Sequence, residues 1–355
     1  MATADVAVMG GGIMGLAVAW ALCRRGARVR VIEARRIGAG ASGGVVGALV
    51  PHRPDPWDGF KAFQFESLMM AEGWWQAVTA AGGVDPGLAR DGCLHPIADA
   101  GALSRAEARV AAAADLWQGR AACAIIPAAD AGALCPPAPL GVVLRDDAAA
   151  RIDPRRALAA LAAALRARGA EIREGARDPG PAGAVIHATG AEGLAAAGPL
   201  AGRGVKGQAL RLALALPAGT AQLHAPGLHV VPHADGTVAV GSTSEDAFEA
   251  PDTTDARLDA LLARAVAICP VLGDAPVIDR WAGVRPRAAS GRLLLGALPG
   301  RGAGRGAGYV ANGGFRIGFG IAPLAAERLA DLVLTGRADI PPDFLPEPSS
   351  GTGAP

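Results

Sequence analysis

The sequence predicts an α/β fold: a discontinuous, Rossmann-like nucleotide-binding domain carrying a second, mainly antiparallel α+β domain. Three observations lead there. An apolar run over residues 5–9 ends in the spacing Gly10-x-Gly12-x-x-Gly15, which opens an apolar helix and is followed by a second strand closing on Glu33. A helical stretch over 155–168 and a short buried strand over 184–188, ending at Thr189-Gly190, supply more of the same alternation. By contrast, 210–216 and 228–241 read as strands joined by hairpin chemistry at Asp235-Gly236, and they hold no nucleotide signal.

Each glycine of the first motif has a physical task. Gly10 permits the tight turn, Gly12 lets a pyrophosphate approach bare backbone, and Gly15 lets the helix pack closely on the strand. The first N–H groups of that helix, from Ile13 and Met14 onward, then face the phosphates. Glu33, followed by Ala34 and Arg35, is placed to accept hydrogen bonds from a ribose diol. A glycine-rich loop beside a buried acid is the competing reading, and the strand–helix–strand context opposes it. These residues leave nicotinamide and flavin both open.

A second small-residue stretch, 38–51, is too apolar for a surface linker, and its bare backbone suits close approach to something flat. Residues 60–78 form a helical pattern with Trp74 and Trp75, stopped by Gly82-Gly83, and a mixed segment follows to about 150. Over 155–168, Leu158, Leu161 and Leu165 share one face, with Gly169 as the stop. A helix over 254–268 precedes a strand over 277–284. Residues 301–308 read as a solvated loop between two strands, and a last helix over 321–335 is capped by Gly336. The predicted organisation is a nucleotide domain of 1–80, 150–205 and 282–340, a substrate domain of 81–149 and 206–281, and a mobile, proline-rich tail over 341–355.

With 51% hydrophobic residues in 355, the chain can bury a large core. A net charge of +1, from 34 basic and 33 acidic residues, offers no general attraction for nucleic acid or an acidic membrane. Five cysteines without C-x-x-C spacing suit a reducing cytoplasm, and no apolar run reaches the ~18 residues of a membrane span. The first strand begins by Asp5, leaving no room for a signal peptide. No metal-binding spacing and no serine-hydrolase elbow occur.

Five segments in order resemble the D-amino-acid oxidase and glycine oxidase group of FAD-dependent amine oxidoreductases, the DAO family, up to about Gly336. They are the N-terminal glycine motif with Glu33; Gly40-Ala41-Ser42 leading to Gly47; Val205-Lys206-Gly207-Gln208; Val231-Pro232-His233 running to Glu245-Asp246; and Trp281-Ala282-Gly283-Val284-Arg285-Pro286, which continues to Gly313-Gly314-Phe315-Arg316-Ile317-Gly318. The resemblance implies FAD rather than NAD. It is expected to be non-covalent, because residues 281–320, where a covalently flavinylated relative attaches its cofactor, contain no cysteine. Backbone near Ser42 and Gly43 would cradle the diphosphate, and Gly47, Ala48 and Leu49 would pass beside the flavin ring, with the Thr189-Gly190 turn near the dinucleotide.

The same likeness places Arg285 over the flavin to hold a substrate carboxylate, where a planar guanidinium can form two parallel hydrogen bonds. The alternative is an internal ion pair with Asp279 or Glu245. Arg316 matches an arginine in the loop that closes over the flavin, flanked by Gly314, Phe315, Ile317 and Gly318. Members of the group often put a tyrosine over the substrate, but the only tyrosine here, Tyr309, reads as buried in a strand. His229 stands where an aromatic would precede the Val-Pro segment, His233 follows the proline, and His52 follows the flavin-side segment, so each is a candidate pocket residue.

The implied activity is oxidation of the C–N bond of a small amino acid or secondary amine by hydride transfer to flavin N5, giving an imine that hydrolyses. Dioxygen or another acceptor would reoxidise the flavin, and a homo-oligomer is compatible with the sequence. Two other readings stand beside it: an oxidase of a modified tRNA uridine, which the 41–49 stretch also resembles, and a flavin-carrying subunit of a larger dehydrogenase.

Overall fold

The computed structural model of the chain describes residues 4–196, 201–300 and 306–346. Six strands form one sheet in the order Leu294–Ala297, Ala307–Asn312, Ala182–His187, Ala4–Met9, Val29–Glu33 and Glu171–Glu174. All neighbours are parallel except the outermost pair, Leu294–Ala297 with Ala307–Asn312. The inner strands are near-continuous apolar runs because helices cover them. Helix Ile13–Arg24 is buried from Ile13 to Cys23 and packs with helix Gly318–Thr335 in the largest core cluster, which also holds Trp74 and Trp75. Glu327 of the last helix ties this bundle together. It accepts from the Trp74 indole N–H at 2.8 Å and pairs with Arg24 and Arg25 at 2.8 and 2.6 Å.

The second sheet has eight strands: Val277–Ala288, Gly202–Ala213, Thr237–Gly241, Leu228–Pro232, Gln222–Ala225, Cys93–Pro96, Val142–Asp146 and Cys123–Pro127. Its pairs are antiparallel except Gln222–Ala225 with Cys93–Pro96. Helix Ala256–Ile268 covers a separate core on this sheet through Leu258, Leu261 and Ala265. The long strands Gly202–Ala213 and Val277–Ala288 pair with each other along most of their length, so positions 205 and 281 fall inside strands of one sheet.

Several elements begin earlier than their sequence pattern. The second helix is Gly59–Gly82, capped by Asp58 accepting from the Lys61 N–H at 2.8 Å. Its last residue lies so close to the helix Pro154–Ala167 that a Cβ at Gly82 would stand 2.5 Å from the Ala164 nitrogen. The last helix is Gly318–Thr335, a turn longer than predicted, because Gly318 and Gly320 carry no apolar signal in its first turn. Helix Ala100–Trp117 lies inside the segment read as mixed; it buries only Ala106, Ala113 and Trp117, and alanine makes a faint periodic pattern. Strand Val277–Ala288 runs four residues past the predicted 284 and includes Arg285 and Pro286. As the edge strand of its sheet it tolerates a proline.

Residues 341–346, at the start of the predicted mobile tail, are packed instead. Phe344 is fully buried, with ring centroids 5.7 and 5.1 Å from those of Phe60 and Phe63. Residues 347–355, and 301–305 of the predicted solvated loop, lie outside the described residues. No helix among the described residues is long and apolar enough to cross a membrane.

Candidate active site

The glycine motif is built as its spacing implies. Gly10 has φ +116°, and a Cβ there would lie 2.2 Å from the Ala188 carbonyl oxygen, while one on Gly15 would lie 2.0 Å from the Gly10 oxygen. Gly12 heads the helix with no side-chain cap, and no acid occupies the first turn. That end of the helix is left electropositive. The Ile13 N–H donates to Ser42 Oγ at 3.0 Å, which seats the turn Ala41–Gly43 against the motif. Glu33 accepts from the Gly11 and Arg35 N–H groups at 2.7 and 2.8 Å, which fixes its carboxylate beyond Ala34 and leaves further lone pairs for a diol.

Distant segments close on the same place. A Cβ on Gly314 would meet Met14 Cε at 3.0 Å, and one on Gly318 would meet Ile13 Cγ2 at 3.4 Å. Thr189-Gly190 follows Ala188, which backs Gly10, and the Asn312 side-chain amide donates to the Gly190 carbonyl at 3.0 Å. A helix terminus without an acidic cap beside a carboxylate with lone pairs to spare fits a dinucleotide, which would set its diphosphate near Gly12, Ile13 and Ser42 and a ribose near Glu33.

Beside this cradle lies a cavity of about 730 Å³. Ala48, Leu49 and Trp281 line it together with Ile317, Gly318 and Gly320. Gly47 also lines it, but what forces glycine there is a backbone crossing. Its φ is +67°, and a Cβ would lie 1.7 Å from the Ile152 carbonyl oxygen. Gly43 is fixed similarly, with a Cβ there reaching 2.1 Å from the Gly38 oxygen.

Arg285 enters the cavity from strand Val277–Ala288. Its guanidinium donates to Ser242 Oγ at 2.9 Å, and to the Lys206 and Thr243 carbonyls at 3.1 and 2.5 Å. Neither expected internal acid pairs with it: Asp279 pairs with Arg155 at 2.6 Å and Glu245 with Arg257 at 2.9 Å. Burial lowers its pKa to about 10, helped by the nearby Arg316 charge, so it remains a cation at neutral pH. Nη2 spends both hydrogens on carbonyls, whereas Nη1 keeps one and the buried Nε has no partner. A carboxylate would therefore be met through single N–H groups rather than by a two-pronged grip using Nη2.

Gly207 makes room for this arrangement, because a Cβ there would stand 2.1 Å from Arg285 Nη2. Arg316, at φ +62°, lies over the Phe315 ring at 5.0 Å, and Arg285 and Arg287 lie 5.7 and 5.3 Å from the same ring. Phe315 thus acts as the aromatic face that gathers these cations.

The histidines divide. His233 is buried away from the cavity lining, with Nε2 3.1 Å from the Val45 carbonyl. His52 lines the cavity and is fixed by Gln64, whose Oε1 lies 2.5 Å from Nδ1 and also accepts from the His52 backbone N–H at 2.8 Å. His229 belongs to a row of three. It stacks on His224 with centroids 4.4 Å apart, and His95 meets His224 edge-on at 5.3 Å. The row arises because three adjacent strands each place one imidazole on the same wall, His224 and His229 being direct cross-strand partners. Burial depresses all three pKa values, to about 4 for His224, to about 3 for His229 and well below the ordinary value for His95. They are neutral imidazoles at pH 7.

Sequence reasoning did not single out His95, His224, Arg53, Arg105 or Arg109, and it quoted Gly207 only within the segment 205–208 without giving it a task. The strand spacing of His224 and His229 offered a signal only once the hairpin between them was known.

The chain matches the family described as FAD dependent oxidoreductase (DAO) over residues 5–332. It is 30% identical to a glycine oxidase of Pseudomonas putida, covering 97% of this chain and 98% of that protein. It is likewise 30% identical to a bifunctional ThiO/ThiG protein of Synechocystis, covering 94% of this chain but only 52% of that protein, so it spans about half the length of that relative. The crystal structure of a glycine oxidase from Geobacillus kaustophilus superposes with a TM-score of 0.84 at 23% identity, covering 98% of this chain and 99% of that one. The chain belongs to the DAO family of FAD-dependent oxidoreductases.

Proposed function

We propose that the protein oxidises the C–N bond of a small amino acid or secondary amine. The carrying observation is Arg285, a half-buried cation with no carboxylate partner among the described residues, held on the wall of a cavity that adjoins the dinucleotide cradle. The name of the Pseudomonas putida relative, glycine oxidase, supports the same reading. FAD supplies the two-electron acceptor, and the amine loses a C–H and an N–H bond, forming a C=N bond that water then splits to a carbonyl compound and an amine or ammonia.

The chain's own residues bind and orient. Gly10, Gly12, Ile13, Met14, Gly15, Ser42 and Glu33 hold the dinucleotide, while the 314–318 segment closes the groove. Arg285 and Ser242 fix the substrate carboxylate, and the neutral imidazoles of His224 and His229 add no positive charge beside the amine. An apolar, cationic surround favours the unprotonated amine, so positioning rather than a strong protein base drives the reaction. Segments 1–80, 150–205 and 282–340 would chiefly serve the cofactor and the rest the substrate. The five cysteines, all free thiols, fit a reducing compartment such as the cytoplasm.

Anaerobic mixing of the flavin-loaded protein with a panel of amines tests this. Bleaching of the flavin absorbance by glycine, sarcosine or a D-amino acid is expected, and peroxide release on admitting air would identify dioxygen as acceptor. A flavin that no amine bleaches would overturn the reading.

A further inference from the structure

The cavity is far more basic than the protein that encloses it. The whole chain carries a net charge of +1, yet Arg53, Arg105, Arg109, Arg285 and Arg316 line this one space and no aspartate or glutamate among the described residues does. Arg109 is neutralised from behind by the buried Asp146. The other four have no carboxylate within ion-pair distance among the described residues, although most arginines elsewhere on the chain do.

These charges form two poles. Arg285 and Arg316 lie at the cofactor side, 5.7 and 5.0 Å from the Phe315 ring. Arg105 and Arg109 stand one turn apart on helix Ala100–Trp117, and with Ala102 and Ala106 they present a single face to the cavity. Arg53, on the loop after strand Ala48–Leu49, lines the same cavity beside them. The diphosphate cradle belongs to the other sheet, so it does not account for this second pole.

Between the poles runs the imidazole row. His95 Nε2, His224 Nδ1 and His229 Nδ1 are buried without a hydrogen-bond partner among the described residues, although all three rings line the cavity. These rings bring neutral, uncharged surface between the two groups of arginines, so they do not themselves neutralise an anion or repel one. The row is more than one ring long, with centroids spaced 4.4 and 5.3 Å, and it shares the cavity with both groups of arginines.

We infer that the substrate is dianionic: an amino acid or secondary amine with one carboxylate at Arg285 and a second anionic group held by Arg53 and Arg105. This rests on the amine-oxidase reading above, and it narrows the substrate class. The second group branches from the amine nitrogen or from the α-carbon; the chemistry recognised is the same.

The test separates these sources and this inference from the reading beneath it. Flavin-loaded protein is assayed with singly carboxylated glycine and sarcosine, with iminodiacetate, whose second carboxylate is on nitrogen, and with D-aspartate, where it is on carbon. At least one of the two diacids should exceed glycine in kcat/KM by about 10–100-fold, the range of one or two hydrogen bonds to charged groups. The unreactive pair acetate and succinate, titrated against the flavin absorbance, should show succinate binding at least about tenfold more tightly. Both Arg53 and Arg105 are exposed, so R53E/R105E should fold and keep its flavin while losing these preferences. Oxidation of glycine with no preference for either diacid, or a preference unchanged in R53E/R105E, overturns the inference and leaves the amine-oxidase reading standing. Tight succinate binding without bleaching by any amine overturns that reading and leaves a dianion site.

Discussion

Replacing Gly207 by alanine tests the placement of Arg285 without touching any group that meets substrate. The new Cβ would stand 2.1 Å from Nη2 and 2.4 Å from Cζ of Arg285. The obstructing atoms are the far end of a flexible side chain, so the strand Gly202–Ala213 keeps its course and the guanidinium moves. Moving it breaks or stretches donations to the Lys206 and Thr243 carbonyls, at 3.1 and 2.5 Å, that set its plane. A hydrogen bond involving a charged group contributes about 1.5–3 kcal/mol, and misplacing the remaining Nη1 donor forfeits about one such contact with the substrate carboxylate. That corresponds to a loss of roughly 10–100-fold in kcat/KM. Steady-state kinetics with a carboxylated amine and with an alkylamine lacking a carboxylate would measure it, alongside flavin content and melting temperature. Only the carboxylated substrate should suffer. If Gly207→Ala folds, binds flavin and retains its efficiency with the carboxylated amine to within about threefold, the argument for Arg285 as anchor fails.

Arg285→Ala should cost more, about 2–5 kcal/mol with carboxylated substrates, because the substrate carboxylate is then left unpaired; an unchanged kcat/KM would refute that role. Gly15→Ala forces a Cβ to within 2.0 Å of the Gly10 oxygen, so the purified variant should lose its yellow colour or fail to fold, and normal flavin content would count against the motif's assignment. Phe344→Ala empties a fully buried site and should lower stability by about 3–5 kcal/mol in urea unfolding, whereas a neutral effect would show that the tail does not fasten the core. Stability should also fall in mild acid. Folded His224 and His229 resist protonation down to about pH 4 and 3, while unfolded histidine takes a proton near 6.5, so this contribution is complete above pH 6.5 and is lost as pH falls toward 4. The slope is up to about 1.4 kcal/mol per pH unit for each ring. Asp146, raised to about 6 by burial, offsets about one ring below that pH. Urea midpoints at pH 7, 6 and 5 that coincide would contradict the buried, neutral row.

The cradle was legible because its constraints are local. Gly10, Gly12, Gly15 and Glu33 announce a turn, a bare backbone and an acceptor within one strand–helix–strand unit, and the structure brings Ser42 and the 314–318 segment to them. The basic wall was not legible. Arg105 and Arg109 stand on a helix whose alanines give little periodic contrast, and Arg53 sits in an irregular loop, so nothing in the sequence linked them to Arg285. The histidine row needed the pairing of Gln222–Ala225 with Cys93–Pro96, a contact between segments far apart in the chain. Gly47 carries the opposite lesson, for a small residue credited to a ring face owes its place to the Ile152 carbonyl.

The strand that bears the N-terminal fingerprint is flanked by Val29–Glu33 and Ala182–His187, and the latter is flanked in turn by Ala307–Asn312. During synthesis the first residues out of the ribosome must therefore wait for nearly the last before their sheet can close. The 314–318 segment that contacts Met14 and Ile13 is likewise made only after most of the chain. A shortened chain lacking the final strand and helix would strip helix Ile13–Arg24 of its main packing partner, however faithfully its own sequence was preserved.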